Sequence, residues 1–131
     1  KTPRSRGRTS GAAARGSLAD SYRALGRHSR VDELWLELRE QSPSSELVNE
    51  GRIVAAGSLA DQGRLADAIR LLEKGWKAPK RPKDVHLRRA YALADLLERA
   101  GSIPRARQLF AWLSNAAPGF ADVDARLRAL G

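Results

Sequence analysis

The sequence predicts an all-α fold, a stack of helical hairpins closed by a C-terminal helix, and three observations carry that reading. The 131 residues include 22 Ala and 18 Leu against 5 Val, 3 Ile and 2 Thr. Strong helix formers therefore far outnumber β-branched residues. One pattern occurs three times: Leu25, Ser29, Val31, Leu34 and Leu38; Leu59, Gly63, Leu65, Ala68 and Leu72; Leu97, Gly101, Ile103, Ala106 and Phe110. The copies are offset by 34 and then 38 residues. A repeat of this length means helical hairpins, because one hairpin cannot bury its own apolar face and needs neighbours. On both sides of each turn the apolar residues recur at spacings of three and four, the period of a helix with one buried face.

Residues 1–16 hold no large apolar side chain and cannot repay the entropy of ordering, so they read as a disordered basic tail. The folded part is expected over 17–131, with hairpins at about 17–43, 45–79 and 84–118. Ser17, Ser45 and Asp84 stand where helix N-caps are wanted. The first hairpin turns at Ser29, which takes the left-handed conformation less comfortably than glycine, so this hairpin is expected to be the loosest. In the second, Ile53, Ala56, Leu59 and Ala60 line the inner helix, Gly63 makes the turn, and Leu65, Ala68, Ile69, Leu72 and Trp76 stripe the outer helix. The connector from Lys77 to Lys83 supplies the four residues that stretch the period. In the third, Leu87, Ala90, Ala94 and Leu97 line the inner helix, Gly101 turns the chain, and Pro104 suits the first turn of the outer helix. Pro43, Pro79 and Pro118 stop the three outer helices. Phe120, Val123, Leu127 and Leu130 then describe a cap helix at about 121–130, with Arg126 and Arg128 facing outward.

Charge is unevenly placed. The net charge is +9. Residues 1–19 carry +5 and residues 74–89 carry +6, leaving the remainder at −2. A basic tail and a basic connector raise nucleic acid as an alternative partner, with Lys80, Arg81 and Lys83 as its anion contacts. The excess of 19 Arg over 5 Lys also fits coding bias in a GC-rich genome.

Several function classes find no support in the residues. Without cysteine there is no disulfide framework, thiolate metal site or thiol nucleophile. No apolar run approaches the roughly 20 residues of a membrane span, and a cytoplasmic protein without membrane contact is expected. The absence of methionine, an initiator included, suggests a processed chain or a fragment. Nothing in the sequence places a carboxylate or hydroxyl beside His28 or His86, so both read as solvated. Asp122 and Asp124 are two apart and point to different faces of a helix, which favours charge at a helix start over a shared metal. Gly7, Gly11 and Gly16 follow no strand and make no phosphate loop. Trp35, Trp76 and Trp112 fall on outer helices, too dispersed for a base-stacking platform, and read as packing residues. No catalysis, metal or cofactor is expected.

Small residues on the inner helix, Gly at the turn, Ala68 or Ala106 five residues later and Pro118 before the next unit resemble the tetratricopeptide repeat. The resemblance covers about residues 17–131. The signature Trp of the inner helix is replaced by Leu18, Arg52 and Ala90, and the third copy matches best. Leu18-Ala-Asp-Ser-Tyr-Arg-Ala-Leu-Gly26, Glu50-Gly-Arg-Ile-Val-Ala-Ala-Gly57 and Phe120-Ala-Asp-Val-Asp-Ala-Arg-Leu127 look like tetratricopeptide proteins of high-GC actinobacteria. Those proteins carry further repeat sequence before the counterpart of Leu18, which implies an upstream hairpin outside this sequence. The resemblance implies a right-handed superhelical solenoid acting as a non-catalytic scaffold, with a partner peptide or helix in the concave groove of the inner helices. By register the groove residues are Arg23, Glu50, Ile53, Arg88, Tyr91, Asp95 and Glu98. The carboxylate clamp of the family needs Asn where this chain has Val54 and Asp95. An uncovered first-hairpin surface around Leu18 and Tyr22 adds self-association as an expectation.

Overall fold

A computed structural model describes residues 20, 23–24, 26–40 and 45–131. The expected tail, the Ser17 cap, Leu18, Tyr22, Leu25 and the Pro43 stop lie outside the described residues. Among these residues the fold is all-α, with six helices and no strand: α1 (His28–Glu40), α2 (Ser45–Asp61), α3 (Leu65–Glu73), α4 (Asp84–Arg99), α5 (Ile103–Ala116) and α6 (Val123–Leu130). None of them is long and apolar enough to cross a membrane. The chain divides into two compact units, one ending at Arg64 and one running from Leu65 to Gly131.

In the first unit α1 packs on α2. Val31, Leu34 and Trp35 are buried from α1, and Ala55, Ala56 and Ser58 from α2. The Arg52 guanidinium lies 5.3 Å from the centre of the Trp35 ring, adding a cation–π contact. The turn before α1 falls at Gly26 and not at Ser29, which is already helical. Gly26 has φ +76° and its N–H bonds the Arg23 carbonyl at 2.9 Å. A left-handed turn selects glycine because a Cβ would crowd the following carbonyl.

The turns at Gly63 and Gly101 occur as read and share one hydrogen-bond pattern. Their φ values are +80° and +85°. Arg64 N–H bonds Leu59 O at 2.9 Å, and Ser102 N–H bonds Leu97 O at 2.8 Å. These are the six-to-one bonds of a Schellman ending, which satisfy carbonyls that a helix end leaves over.

In the second unit α3 packs on α4, α4 on α5, and α5 on α6. Ala68 and Ala106 are wholly buried, as are Leu72, Phe110 and Leu113. The interior lies between α3, α4 and α5, with Ala90, Ala94 and Leu97 from α4 facing it. Two boundaries differ from expectation. Asp84 is the first residue of α4 and not its cap; Lys83 holds the cap position, and its N–H donates to His86 Nδ1 at 2.9 Å. His86 thus takes the reaching-back role of a capping box, so it is not simply solvated. Helix α3 stops at Glu73, because Gly75 takes φ +69°, and Trp76 stands beyond the helix it was expected to extend.

Candidate interaction surface

Three of the seven register-derived groove residues converge in the second unit, where α6 engages them. Tyr91, Asp95 and Glu98 follow one another along α4 at spacings of four and three, so one face of the helix presents all three. Arg126 of α6 points into this set and not outward. Its Nη2 donates to Glu98 Oε1 at 2.7 Å and to Asp95 Oδ1 at 2.9 Å, and its Nη1 donates to Tyr91 Oη at 3.0 Å. The guanidinium also lies 5.0 Å from the Phe110 ring centre. Arg128, by contrast, is exposed. The Tyr91 hydroxyl in turn donates to Asp122, and Ser114 Oγ donates to Asp124 at 2.8 Å. The two aspartates therefore fasten the start of α6 to two different helices.

The electrostatics of this cluster follow from half-burial among opposite charges. For Asp95, burial raises the carboxyl pKa, but hydrogen bonds and charge from Arg99 and Arg126 outweigh it and hold the group below the usual carboxylate range. For Tyr91, burial raises the phenol pKa, and the Asp122 hydrogen bond and charge raise it further. Burial opposes the charge on Arg126, yet the hydrogen bonds it donates to Glu98 and Asp95 raise its pKa above the ordinary value.

The other register residues do not join this set. Arg88 pairs with Asp84 one turn earlier, at 2.8 Å. Arg23 pairs with Asp61 at 3.1 Å. Its guanidinium crosses Gly57 so closely that a Cβ there would come within 2.5 Å of Cζ, although the group met is the flexible end of a side chain, which can shift. Glu50 is exposed and Ile53 half-buried.

His28 has a hydroxyl beside it that the sequence did not reveal, because 30 residues separate them. Its Nδ1 lies 2.6 Å from Ser58 Oγ. Gln62 Nε2 adds a bond to the Ser58 carbonyl at 3.1 Å. Ser58 is wholly buried, so its oxygen is closed to a substrate and the pair satisfies polar atoms inside the first unit. Among the described residues no three His, Asp or Glu side chains gather where a metal ion could be held.

The surface that stays open lies on the other side of α5. Its residues separate by face: Ala106, Phe110 and Leu113 are buried, whereas Arg105, Gln108, Leu109 and Trp112 line a depression of about 490 Å³. Leu93 and Leu97 of α4 form its floor, and Trp76, Glu73 and Ala78 its far wall. Trp76 and Trp112 meet edge to face, with centroids 5.7 Å apart at 86°. They are half-buried, and their meeting corrects the expectation of dispersed aromatics. Arg105 and Glu73 form an ion pair on the rim.

Arg89 fixes Trp76 in place. It lies in the buried stripe of α4 and donates to Leu72 O from Nε at 2.9 Å and from Nη2 at 2.6 Å, and to Lys74 O at 2.7 Å. Its guanidinium stands 5.4 Å from the Trp76 ring centre. One buried cation thus closes the C-terminal end of α3, where the helix dipole favours positive charge, and orients the aromatic wall. Compared with protein families, characterised proteins and solved structures, the chain matches none.

Proposed function

We propose that this chain is a non-catalytic protein-interaction module, a right-handed tetratricopeptide-like array of hairpins ended by α6, working in the cytoplasm without a cofactor. The three-copy pattern, the paired Gly63 and Gly101 turns and the buried Ala68 and Ala106 support the array reading. The observation that carries the interaction reading is the open depression walled by Trp76 and Trp112 over Leu93 and Leu97. Half-exposed tryptophans over an aliphatic floor make a pocket for an apolar anchor, and such anchors dominate protein–protein binding energies.

This reading moves the receiving surface from the face expected for the third repeat. Tyr91, Asp95 and Glu98 hold α6 of their own chain, so a partner reaches them only by displacing Arg126. A photo-reactive amino acid at Gln108, on the rim of the depression, is expected to yield discrete protein adducts in the native host. The same group at Arg128 is expected to yield none of them. Adducts at Arg128 alone, or none at Gln108, would refute the placement.

A further inference from the structure

Resting on the reading that the Trp76–Trp112 depression receives a partner, we infer that the segment it binds is acidic, with an apolar anchor in the depression and carboxylates over the connector. A second depression, of about 540 Å³, adjoins the first and shares Ala78 and Trp112 with it. Its walls are the connector residues Pro79, Lys80 and Pro82 on one side and Asn115 of α5 on the other. A single extended segment crossing Trp112 therefore passes from an aliphatic floor to a basic edge.

The charge on that edge is uncompensated. Lys80 lines the second depression, its connector neighbours Lys77 and Arg81 are exposed with it, and among the described residues none of the three forms an ion pair. Asp84 is the only carboxylate within residues 74–89, and it is paired with Arg88. Pro79 and Pro82 restrict the backbone on both sides of Lys80 and Arg81, so these cations are displayed on a stiff segment. The rim of the apolar depression is neutral by contrast, since Glu73 and Arg105 cancel. Apolar floor, neutral rim and basic edge thus follow in order along one path, and the complement is an apolar residue followed by Asp or Glu.

A nucleic acid fits these features less well. Bases need exposed aromatic faces to stack on, whereas Trp76 and Trp112 meet edge to face and Arg89 stands over the Trp76 ring. The floor of Leu93 and Leu97 suits an aliphatic or aromatic side chain at the end of a flexible stem.

The test is a peptide-display selection on the purified chain, followed by affinity measurements at two salt concentrations with the enriched peptides and a mixed-sequence single-stranded RNA. The variants are Lys80→Gln/Arg81→Gln, Ala78→Trp and Gln108→Trp as two ways to fill the depression, and Arg64→Gln/Arg128→Gln as a charge-matched control. Circular dichroism confirms that each folds. The expected outcome is enrichment of peptides with an apolar residue next to Asp or Glu. Their binding should fall about tenfold in Lys80→Gln/Arg81→Gln, weaken with salt, vanish in a filled variant and persist in the control. Enriched peptides blocked by the filled variants but lacking acidic residues, or indifferent to Lys80→Gln/Arg81→Gln, would overturn the acidic inference and leave the depression as the binding site. Absence of enrichment, or peptides indifferent to both filled variants, would remove both readings. RNA that binds more tightly than any peptide and depends on Lys80 and Arg81 would replace the acidic peptide with nucleic acid.

Discussion

Arg89 gives two of its donors to the single carbonyl of Leu72, at 2.9 and 2.6 Å, across 17 residues of chain. A third bond from the same side chain reaches Lys74 O at 2.7 Å. These contacts bind the end of α3 to α4 and set the wall of the open depression. Lysine cannot reproduce them, since it is a point charge without the planar fork.

Arg89→Leu is accordingly expected to cost about 2–4 kcal/mol, because hydrogen bonds to charged groups contribute about 1.5–3 kcal/mol each and the carbonyls are left without a donor. Arg89→Lys should fall between the two. Urea unfolding gives the values, and Trp76 fluorescence reports the opening of the wall. A loss below 0.5 kcal/mol in Arg89→Leu would show that α3 ends independently of Arg89.

Arg126 makes a separable prediction, since its side-chain hydrogen bonds all reach Tyr91, Asp95 and Glu98 on α4. Its side chain is 23 % exposed, so solvent screening reduces what its ion pairs contribute. Arg126→Leu should cost about 1–3 kcal/mol and raise amide exchange throughout α6 while leaving α4 protected. Unchanged exchange in α6 would mean that Val123 and the apolar stripe hold the cap without Arg126.

Much of this architecture was legible in the residues, and the exceptions share a physical cause. Gly63 and Gly101 declare their turns because only glycine takes φ near +80° cheaply, and Ala68 and Ala106 declare a tight helix crossing by their size. Ser29 misled because aligning the copies put it opposite those glycines, although Gly26, three residues earlier, was the residue suited to the turn. Trp76 continued the spacing of its helix on paper, yet Gly75 before it was a stop signal. Beside the apolar stripe of Phe120, Val123, Leu127 and Leu130 the charge of Arg126 predicts a solvent-facing side chain; the opposing pair Asp95 and Glu98, three apart on α4, is the signal that it points inward. Arg89 left no such trace, because its acceptors are main-chain carbonyls that side-chain chemistry does not reveal. The partnership of His28 with Ser58 and that of Trp76 with Trp112 are tertiary and follow from no local pattern. The depression beside Trp76 and Trp112 was invisible for the same reason.

Ala106 and Gly101 test the hairpin from opposite directions. Ala106 is fully buried, and Ala106→Ile should overpack the crossing for about 1–3 kcal/mol. Gly101→Ala meets open space, but φ +85° makes any side chain strained, for about 1–2 kcal/mol. Gly57→Ala provides the contrast: its φ is ordinary, and the group it would strike is the flexible end of Arg23. Thermal midpoints should therefore fall for Ala106→Ile and Gly101→Ala and move little for Gly57→Ala. An unchanged midpoint for Ala106→Ile would contradict the burial on which the repeat register rests.

The α6 cluster predicts a stability plateau with an acid and an alkaline edge. Asp95 has a folded pKa below the unfolded value of about 3.9, so its contribution is present above that value and is lost as pH falls through the lower folded one. Tyr91 has a folded pKa above the unfolded value of about 10. Its contribution is fully present below that value and is lost as pH rises through the folded one, because the phenolate that forms faces Asp122 and is half-buried. Arg126 stays charged across the whole range. Thermal midpoints measured from pH 2 to 11 should fall at both edges, with Asp95→Asn reducing the slope only at the acid edge and Tyr91→Phe only at the alkaline edge. The two variants leave the rest of the chain's titration in place, so each difference from wild type isolates one group. If Asp95→Asn kept the full acid slope, the carboxyl would not be coupled to Arg126, and the ion pair at 2.9 Å would contribute nothing to holding the cap.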